Sequence, residues 1–246
     1  MISDPDILAA YHAEMRGIHY RHARNRAAWR PHLQTTRQII LDAVAACPER
    51  NSVAVLGSGP LLDVPLQALR AAFGRVVLVD VAHPWRVRLR AALTPRVTLL
   101  DADLTGIGGK LSPGMAVPAP PELPALRSVD LVISLNLLSQ LAYVPVSQLE
   151  RRGQTEAEGD VFAGALVRAH LDWLRRLPGR VCLATDIRRI VLDAKGGIIG
   201  EIDPLYGLAL PEGGTEWDWD IAPIGEMAPD YAVRHRVRGY SDLPKG

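Results

Sequence analysis

Residues 52–80 read SVAVLGSGPLLDVPLQALRAAFGRVVLVD. The opening SVAVLG is a short apolar run, rich in β-branched residues and closed by glycine, which is the pattern of a buried strand. LQALRAAFG follows with helical spacing and a glycine stop, and RVVLVD is a second buried strand. Downstream, AHPWRVRLRAAL reads as a helix with Pro84 in its first turn. RVTLLDAD and VDLVISLN read as a third and a fourth strand. A helix over 160–177 (DVFAGALVRAHLDWLRRL) and a fifth strand, RVCLATD, come next. This alternation predicts a doubly wound α/β fold, with a parallel sheet covered on both faces. EWDWDIAP and YAVRHRVRGY alternate in strand fashion around a loop with Gly225 and Pro229, which predicts a C-terminal antiparallel hairpin. The sheet then has seven strands and is mostly parallel.

Upstream, residues 5–46 read as helical, with Asp4 as N-cap and Pro5 in the first turn. Gly17 predicts a break, Pro31 a kink or second break, and Pro48 a stop. This gives an N-terminal helical cap over 1–48 and a Rossmann-like domain over 49–246. Two stretches read as long loops: 108–127, rich in proline and glycine, and the polar 150–159.

The chain has 246 residues and is 48% hydrophobic, which suits one globular α/β unit and excludes global disorder. A net charge of +1 gives no reason to expect nucleic acid or a membrane as partner. Cys47 and Cys182 lie in apolar settings and read as buried side chains rather than a disulfide framework. With no signal pattern and no apolar run long enough to span a bilayer, a cytoplasmic location is expected. The seven histidines show neither H-E-x-x-H nor a Cys/His cluster, so no metal site is expected. Gly57-Ser58-Gly59 is not a nucleophile elbow.

Gly57 and Gly59 follow the first strand directly, where glycine lets the chain turn sharply and a ligand approach the backbone. A dinucleotide fingerprint needs a third glycine at position 62, which here is Leu62. Pro65 predicts that the first crossover helix starts near Val64 with Asp63 as N-cap. A carboxylate at that helix start opposes a pyrophosphate but suits a ligand carrying an ammonium and a sulfonium. Asp80 closes the second strand and can accept both hydroxyl protons of a ribose, beside Val81. Asp101 and Asp103 follow the third strand; Asp103 is the candidate for an adenine amino group, with Leu104 against the ring. The fourth strand ends in Ser134-Leu135-Asn136. Ligands of open α/β sheets sit outside such carboxyl ends.

This set resembles the class I S-adenosylmethionine-dependent methyltransferases over roughly residues 50–240. VAVLGSGP, VVLVD, LLDADL and DLVISLN fall where that family has its glycine loop, ribose acid, adenine acid and fourth strand. The terminal hairpin fits too. The resemblance implies S-adenosylmethionine held by Gly57, Ser58, Gly59, Pro60, Asp63, Asp80, Val81, Asp103, Leu104, Ser134 and Leu135. The family's acid two positions before the first glycine is Val55 here, and its third loop glycine is Leu61. NLLSQL does not match the Asn/Asp-Pro-Pro-Tyr signature of amino-group methyltransferases on bases or glutamine.

Methyl transfer needs positioning and often a base for the acceptor's proton. Asn136, Gln140 and His83 are the catalytic candidates, with Asp186 also near the strand ends and His235 and the WDWDIAP strand at the site rim. Asn136 and Gln140, four apart, share a face if they lie on a helix. His22, Arg26, Trp29 and Arg30 concentrate cations and an aromatic ring on the N-terminal helices, which would suit an anionic group on a small substrate. Trp217 and Trp219 point to one strand face and read as packing. The function expected is methyl transfer to a small or medium-sized acceptor. The alternatives are an NAD-dependent oxidoreductase, or a non-catalytic binding protein on the same scaffold.

Overall fold

The computed structural model describes Ile2 and residues 4–245. Four parallel strands form its centre: β1 (Ser52–Leu56), β2 (Arg75–Asp80), β3 (Val97–Asp101) and β4 (Leu131–Leu135). β5 (Arg180–Asp193) pairs in parallel with β4 up to Leu135↔Ala184 and then runs on past it. The hairpin of β7 (Thr215–Ala222) and β8 (Tyr231–Tyr240) joins antiparallel, with β8 against β5. The order is β3-β2-β1-β4-β5-β8-β7, so the winding reverses between β1 and β4.

The sheet has eight strands rather than the seven expected. β6 (Ile198–Ile202) folds back on the far half of β5, on the edge that β4 has vacated. Its turn is built by Asp193, whose Oδ1 accepts from the N–H groups of Lys195 (2.8 Å) and Gly197 (2.7 Å).

The helical breaks also differ from expectation. α1 (Pro5–Arg24) runs through Gly17, and the chain breaks at Asn25, whose side chain donates to Arg21 O. Glycine inside a helix costs about 1 kcal/mol relative to alanine, too little to end one whose flanks are packed. α2 (Arg26–Ala46) contains Pro31 in its second turn, where the proline removes one hydrogen bond. Trp29 and Leu33, buried on either side, hold the helix there. α3 (Leu66–Ala72) and α4 (Trp85–Ala92) follow β1 and β2. Residues 150–159 are not a loop: α5 (Tyr143–Arg151) reaches into them, and α6 (Glu156–Arg176) starts there with a Thr155–Glu158 capping box. Residues 108–127 do form a long irregular segment, with one 3-10 turn at Pro124–Leu126.

α2, α3 and α4 cover one face of the sheet, where Ile40, Ala43, Leu69 and Phe73 pack on Val53, Val55, Val76 and Ile133. α6 covers the other through Val167, Leu171 and Leu174 on Ala54, Val77 and Val132. A third cluster sits at the strand ends. There Ile7 and Tyr11 of α1 meet Leu141, Leu149, Phe162, Val81 and Leu137. Burying each such large apolar side chain contributes roughly 1.5–3 kcal/mol, so α1 is held over the carboxyl ends by packing. Its two ends are pinned as well, by Asp4 to Arg152 (2.8 Å) and by Arg24 and Asn25 to Glu226 in the β7–β8 loop. Among the described residues no helix is long and apolar enough to cross a membrane.

Candidate functional site

The loop after β1 has a backbone that its sequence only half announces. Gly57 (φ 66°), Gly59 (φ 48°) and Leu61 (φ 59°) are all left-handed. Leucine adopts that region at a cost of about 1–2 kcal/mol. The conformation of a glycine is thus kept at the position where the glycine is replaced, with the Leu61 side chain buried in the α2-side core. Every N–H from Gly57 to Leu61 is consumed within the chain. Gly57 and Ser58 donate to Val79 O (2.9 and 3.2 Å), Gly59 to Asp80 Oδ2 (2.7 Å) and Leu61 to Ser58 O (3.1 Å), while Pro60 has none.

The helix after the loop starts later than expected. Leu66 N donates to Val64 O (2.9 Å) in a tight turn around Pro65, so α3 begins at Leu66 with Pro65 in the cap position. Asp63 is therefore not an N-cap. Its Oδ2 accepts from Asn136 Nδ2 (3.4 Å), and burial pushes its carboxyl up from the usual range. Arg37 donates to the neighbouring carbonyl of Leu62.

Asp80 stands at the end of β2 with Oδ2 on Gly59 N–H and Oδ1 on Val81 N–H (2.8 Å). Burial raises its carboxyl against those two donors and His83. Tyr11 of α1 lies near Asp80 and Asp103; burial, then the charge of each carboxylate, raises its phenol. No sequence signal pointed to Tyr11. Only the path of α1 over the strand ends places it there.

The third strand end is occupied by its own loop. Asp103 Oδ1 accepts from Thr105 N (2.9 Å) and Thr105 Oγ1 (2.5 Å), and Oδ2 from Gly108 N (2.7 Å). Leu104 packs into the α6-side core. His83 is buried, with Nδ1 on Asp101 Oδ1 (2.6 Å) and Nε2 without a partner among the described residues. Burial works to raise Asp101, and hydrogen bonds from Arg88 (2.6 Å) and His83 overcome it and lower it.

At the fourth strand end, Ser134 and Leu135 are buried, and Ser134 Oγ has no partner among the described residues. Asn136 turns left-handed (φ 51°), donates its N–H to Ala184 O (2.7 Å), and leaves Oδ1 buried and unpartnered. Residues 138–142 are turns, so Asn136 and Gln140 do not share a helical face. The left-handed step at Asn136 delays the helix until Tyr143.

The structure separates the four N-terminal candidates. Trp29 is a packing anchor: it is buried, donates Nε1 to Ile221 O (3.0 Å) and meets the edge of Trp219 at 4.8 Å. His22 leans on Trp29 at 5.5 Å, and Arg26 and Arg30 are exposed.

One group beyond these stands out. β5 outruns β4 and carries the fully buried Asp186 beyond Asn136. His235 Nδ1 on β8 lies 3.0 Å from Asp186 Oδ2, and Ser139 Oγ donates to the same oxygen at 3.1 Å. Burial works to raise Asp186, and His235 and Arg189 overcome it and hold the carboxyl below its usual range. Trp219 packs edge-on to His235 at 5.5 Å and stacks on His32 at 3.9 Å, with Trp217 Nε1 donating to His32 Nδ1 (3.0 Å). Burial pushes His32 down to about 3, which keeps it neutral. Trp217 and Trp219 thus share a face, as their spacing predicts.

The parallel order 3-2-1-4-5, closed by an antiparallel hairpin, settles the architecture. The fold is of the class I methyltransferase type. No family model matches the chain, and no curated protein does. Among solved structures it is similar to the N-methyltransferase NodS from Bradyrhizobium japonicum, with S-adenosyl-L-homocysteine, at 12% identity and TM-score 0.38 over 83% of this chain and 85% of that one. It is similar to DhpI at 12% identity and TM-score 0.40, covering 92% and 96%. It is also similar to the 1,6-didemethyltoxoflavin-N1-methyltransferase of Burkholderia thailandensis, at 14% and 0.40, covering 98% and 92%. The assignment of fold rests on the strand order, not on these likenesses.

Proposed function

We propose that the strand-end site binds S-adenosylmethionine and that the protein transfers its methyl group to a small or medium-sized acceptor. The observation that carries this is the saturated glycine loop. A pyrophosphate needs backbone N–H donors at the loop and the following helix start. Here the N–H groups of Gly57, Ser58, Gly59 and Leu61 are spent within the chain, and the short α3 begins behind Pro65. The groups with spare capacity include carboxylate and amide acceptors, beside the unpartnered hydroxyls of Ser58 and Ser134. Asp80 has lone pairs left on both oxygens for a ribose diol, and Asn136 Oδ1 is buried without a partner among the described residues. A ligand rich in hydroxyl and ammonium donors satisfies them.

In this reading Asp80 holds the ribose, with Val81 and Tyr11 beside it. Gly57, Ser58, Gly59 and Pro60 form the floor, and Ser134 and Leu135 the neighbouring strand end. Asp63 and Asn136 take the methionine ammonium, the task left open because Val55 is wholly buried under α2. Asp103 and Leu104 shape the adenine side mainly by fixing the 103–108 loop. The bound cofactor supplies an electrophilic methyl on a sulfonium. The chain's own contribution is to orient the acceptor and exclude water beneath α1. His83 contributes by fixing Asp101. The test is calorimetry with S-adenosylhomocysteine and with NAD. S-adenosylhomocysteine is expected to bind and NAD not to; the opposite result rejects the reading.

A further inference from the structure

The far end of the glycine loop lies against α2. Leu62 packs with Trp29 and Leu33 of that helix, and Arg37, one turn beyond Leu33, donates to the Leu62 carbonyl. A guanidinium carries five N–H donors, so this bond fixes Arg37 and leaves most of its donors unspent. Arg21 and Arg24 share the Glu226 carboxylate, whereas Arg26 and Arg37 have none within ion-pair distance among the described residues. Asp63 follows Leu62 directly; burial raises its carboxyl, and the charge of Arg37 is among the influences that oppose this. His22 leans on Trp29 from the α1 side at 5.5 Å. Burial lowers its imidazole first, and the charges of Arg26, His19 and Arg37 add to that. A positive field thus converges on a half-buried imidazole at the edge of the loop. Such a field draws anions, and arginine binds a carboxylate through charge-assisted hydrogen bonds.

We propose that Arg37, in the positive field it shares with His22 and Arg26, is the anchor of a carboxylate-binding subsite beside the glycine loop. A carboxylate fits better than a phosphate. It carries a single charge, and Asp63, the next residue after the carbonyl that holds Arg37, opposes a doubly charged group. A ligand whose carboxylate stands next to an ammonium suits the place best, since Arg37 then faces the one and Asp63 the other. Two molecules can bring the carboxylate. One is the cofactor itself, through its amino-acid end; the other is an acceptor that carries an acid group. This deepens the methyl-transfer reading and rests on it for which molecule fills the subsite, but the anion chemistry stands on the chain's own residues.

The test is calorimetry with S-adenosylhomocysteine and with 5′-methylthioadenosine, which lacks its amino-acid end. Benzoate and its neutral counterpart benzamide are run with and without S-adenosylhomocysteine. Arg37 is exposed, so R37A removes a surface side chain and leaves the core intact. R16A, at an exposed arginine of α1, controls for bulk charge. R37A is expected to weaken S-adenosylhomocysteine about tenfold and to leave methylthioadenosine unchanged, and R16A to change neither. The carboxylate is then the cofactor's. If R37A spares S-adenosylhomocysteine but removes a preference for benzoate over benzamide, the carboxylate is the acceptor's. The proposal is overturned if R37A stays within about twofold of the parent for both S-adenosylhomocysteine and benzoate. It is also overturned if R37A weakens S-adenosylhomocysteine and methylthioadenosine equally, the mark of a strut for the loop, or if R16A matches R37A. Arg37-dependent benzoate binding without S-adenosylhomocysteine binding would break the cofactor reading and leave the subsite standing. S-adenosylhomocysteine binding indifferent to R37A, with no Arg37-dependent benzoate binding, would do the reverse.

Discussion

Asp80 closes β2 and Asp186 lies on β5 just past the end of β4, yet they are held by opposite means. Asp80 is held by main chain: the N–H of Gly59 in the adjacent loop and that of its own successor, Val81. Asp186 is held by side chains from elsewhere, His235 on β8 and Ser139 in the turns after β4, with Arg189 close by. A main-chain cradle survives most substitutions around it, because backbone donors do not mutate. A side-chain cradle fails when one member is changed. The parallel half of the sheet is thus a fixed frame, and the antiparallel half is the part of the site that substitution can retune.

The sharpest way to break this contrast is His235→Ala. Removing one of the few polar contacts of a buried carboxylate costs roughly 1–3 kcal/mol, and a loss of that size is expected in urea unfolding. A loss under about 1 kcal/mol, the scale of an exposed pair, would show Asp186 to be solvated and the contrast false. Acid should strain both halves. Burial holds His32 at about 3 and His170 at about 4, against 6.5 in an unfolded chain. Between those values the unfolded chain binds protons that the native one refuses, so stability should fall as pH drops from about 6.5 toward 4. His170→Leu should remove the share carried by α6 and leave that of His32; urea midpoints at several pH values measure both. An unchanged pH slope would rule out a buried neutral His170.

Asp80→Ala is expected to weaken S-adenosylhomocysteine on the order of 100-fold by calorimetry, two charge-assisted hydrogen bonds being at stake. Retained affinity would remove Asp80 from the site. Leu61→Gly pits two effects against each other. It relieves a left-handed leucine, worth about 1–2 kcal/mol, and empties a buried side chain, worth about 2–5 kcal/mol. A net loss of about 1–3 kcal/mol is expected. A gain would mean that the side chain contributes little packing. The smallest change is Glu226→Gln at the α1 tether. Arg24 holds the Glu226 carboxyl at about 2, but that partner is largely exposed, so a stability loss of at most about 1 kcal/mol is expected. Faster amide exchange confined to the end of α1 would be its signature.

The same contrast explains what could be read from the sequence. The glycine loop, Asp80 and the parallel order are written in contiguous residues, so periodicity and strand ends expose them. The departure at Asp63 is local too: Pro65 closes a tight turn and pushes the helix two residues on. The sequence marks Asp186 only as a strand-end acid and His235 only as a rim residue. Their meeting depends on β8 inserting between β5 and β7, and on the register shift between Asp186 and Arg188. No short window of sequence carries that information. Tyr11 was invisible for a like reason, since an amphipathic helix does not say which end of a sheet it will cover. β6 leaves no signal because IIGEI follows a glycine pair with no alternation, its apolar side chains exposed.

β5 carries a further consequence. It serves two sets of neighbours, parallel to β4 over its first third and antiparallel to β8 along most of its length. Deleting one residue before the irregularity at Ile187 would turn Asp186 to the opposite face and bring a neighbour into its place. Over evolutionary time, then, the 108–127 segment, which pairs with no strand, escapes this parity rule. β5 can change only in steps of two, and descendants of this chain should keep the spacing from Cys182 to Asp186 even where little else survives.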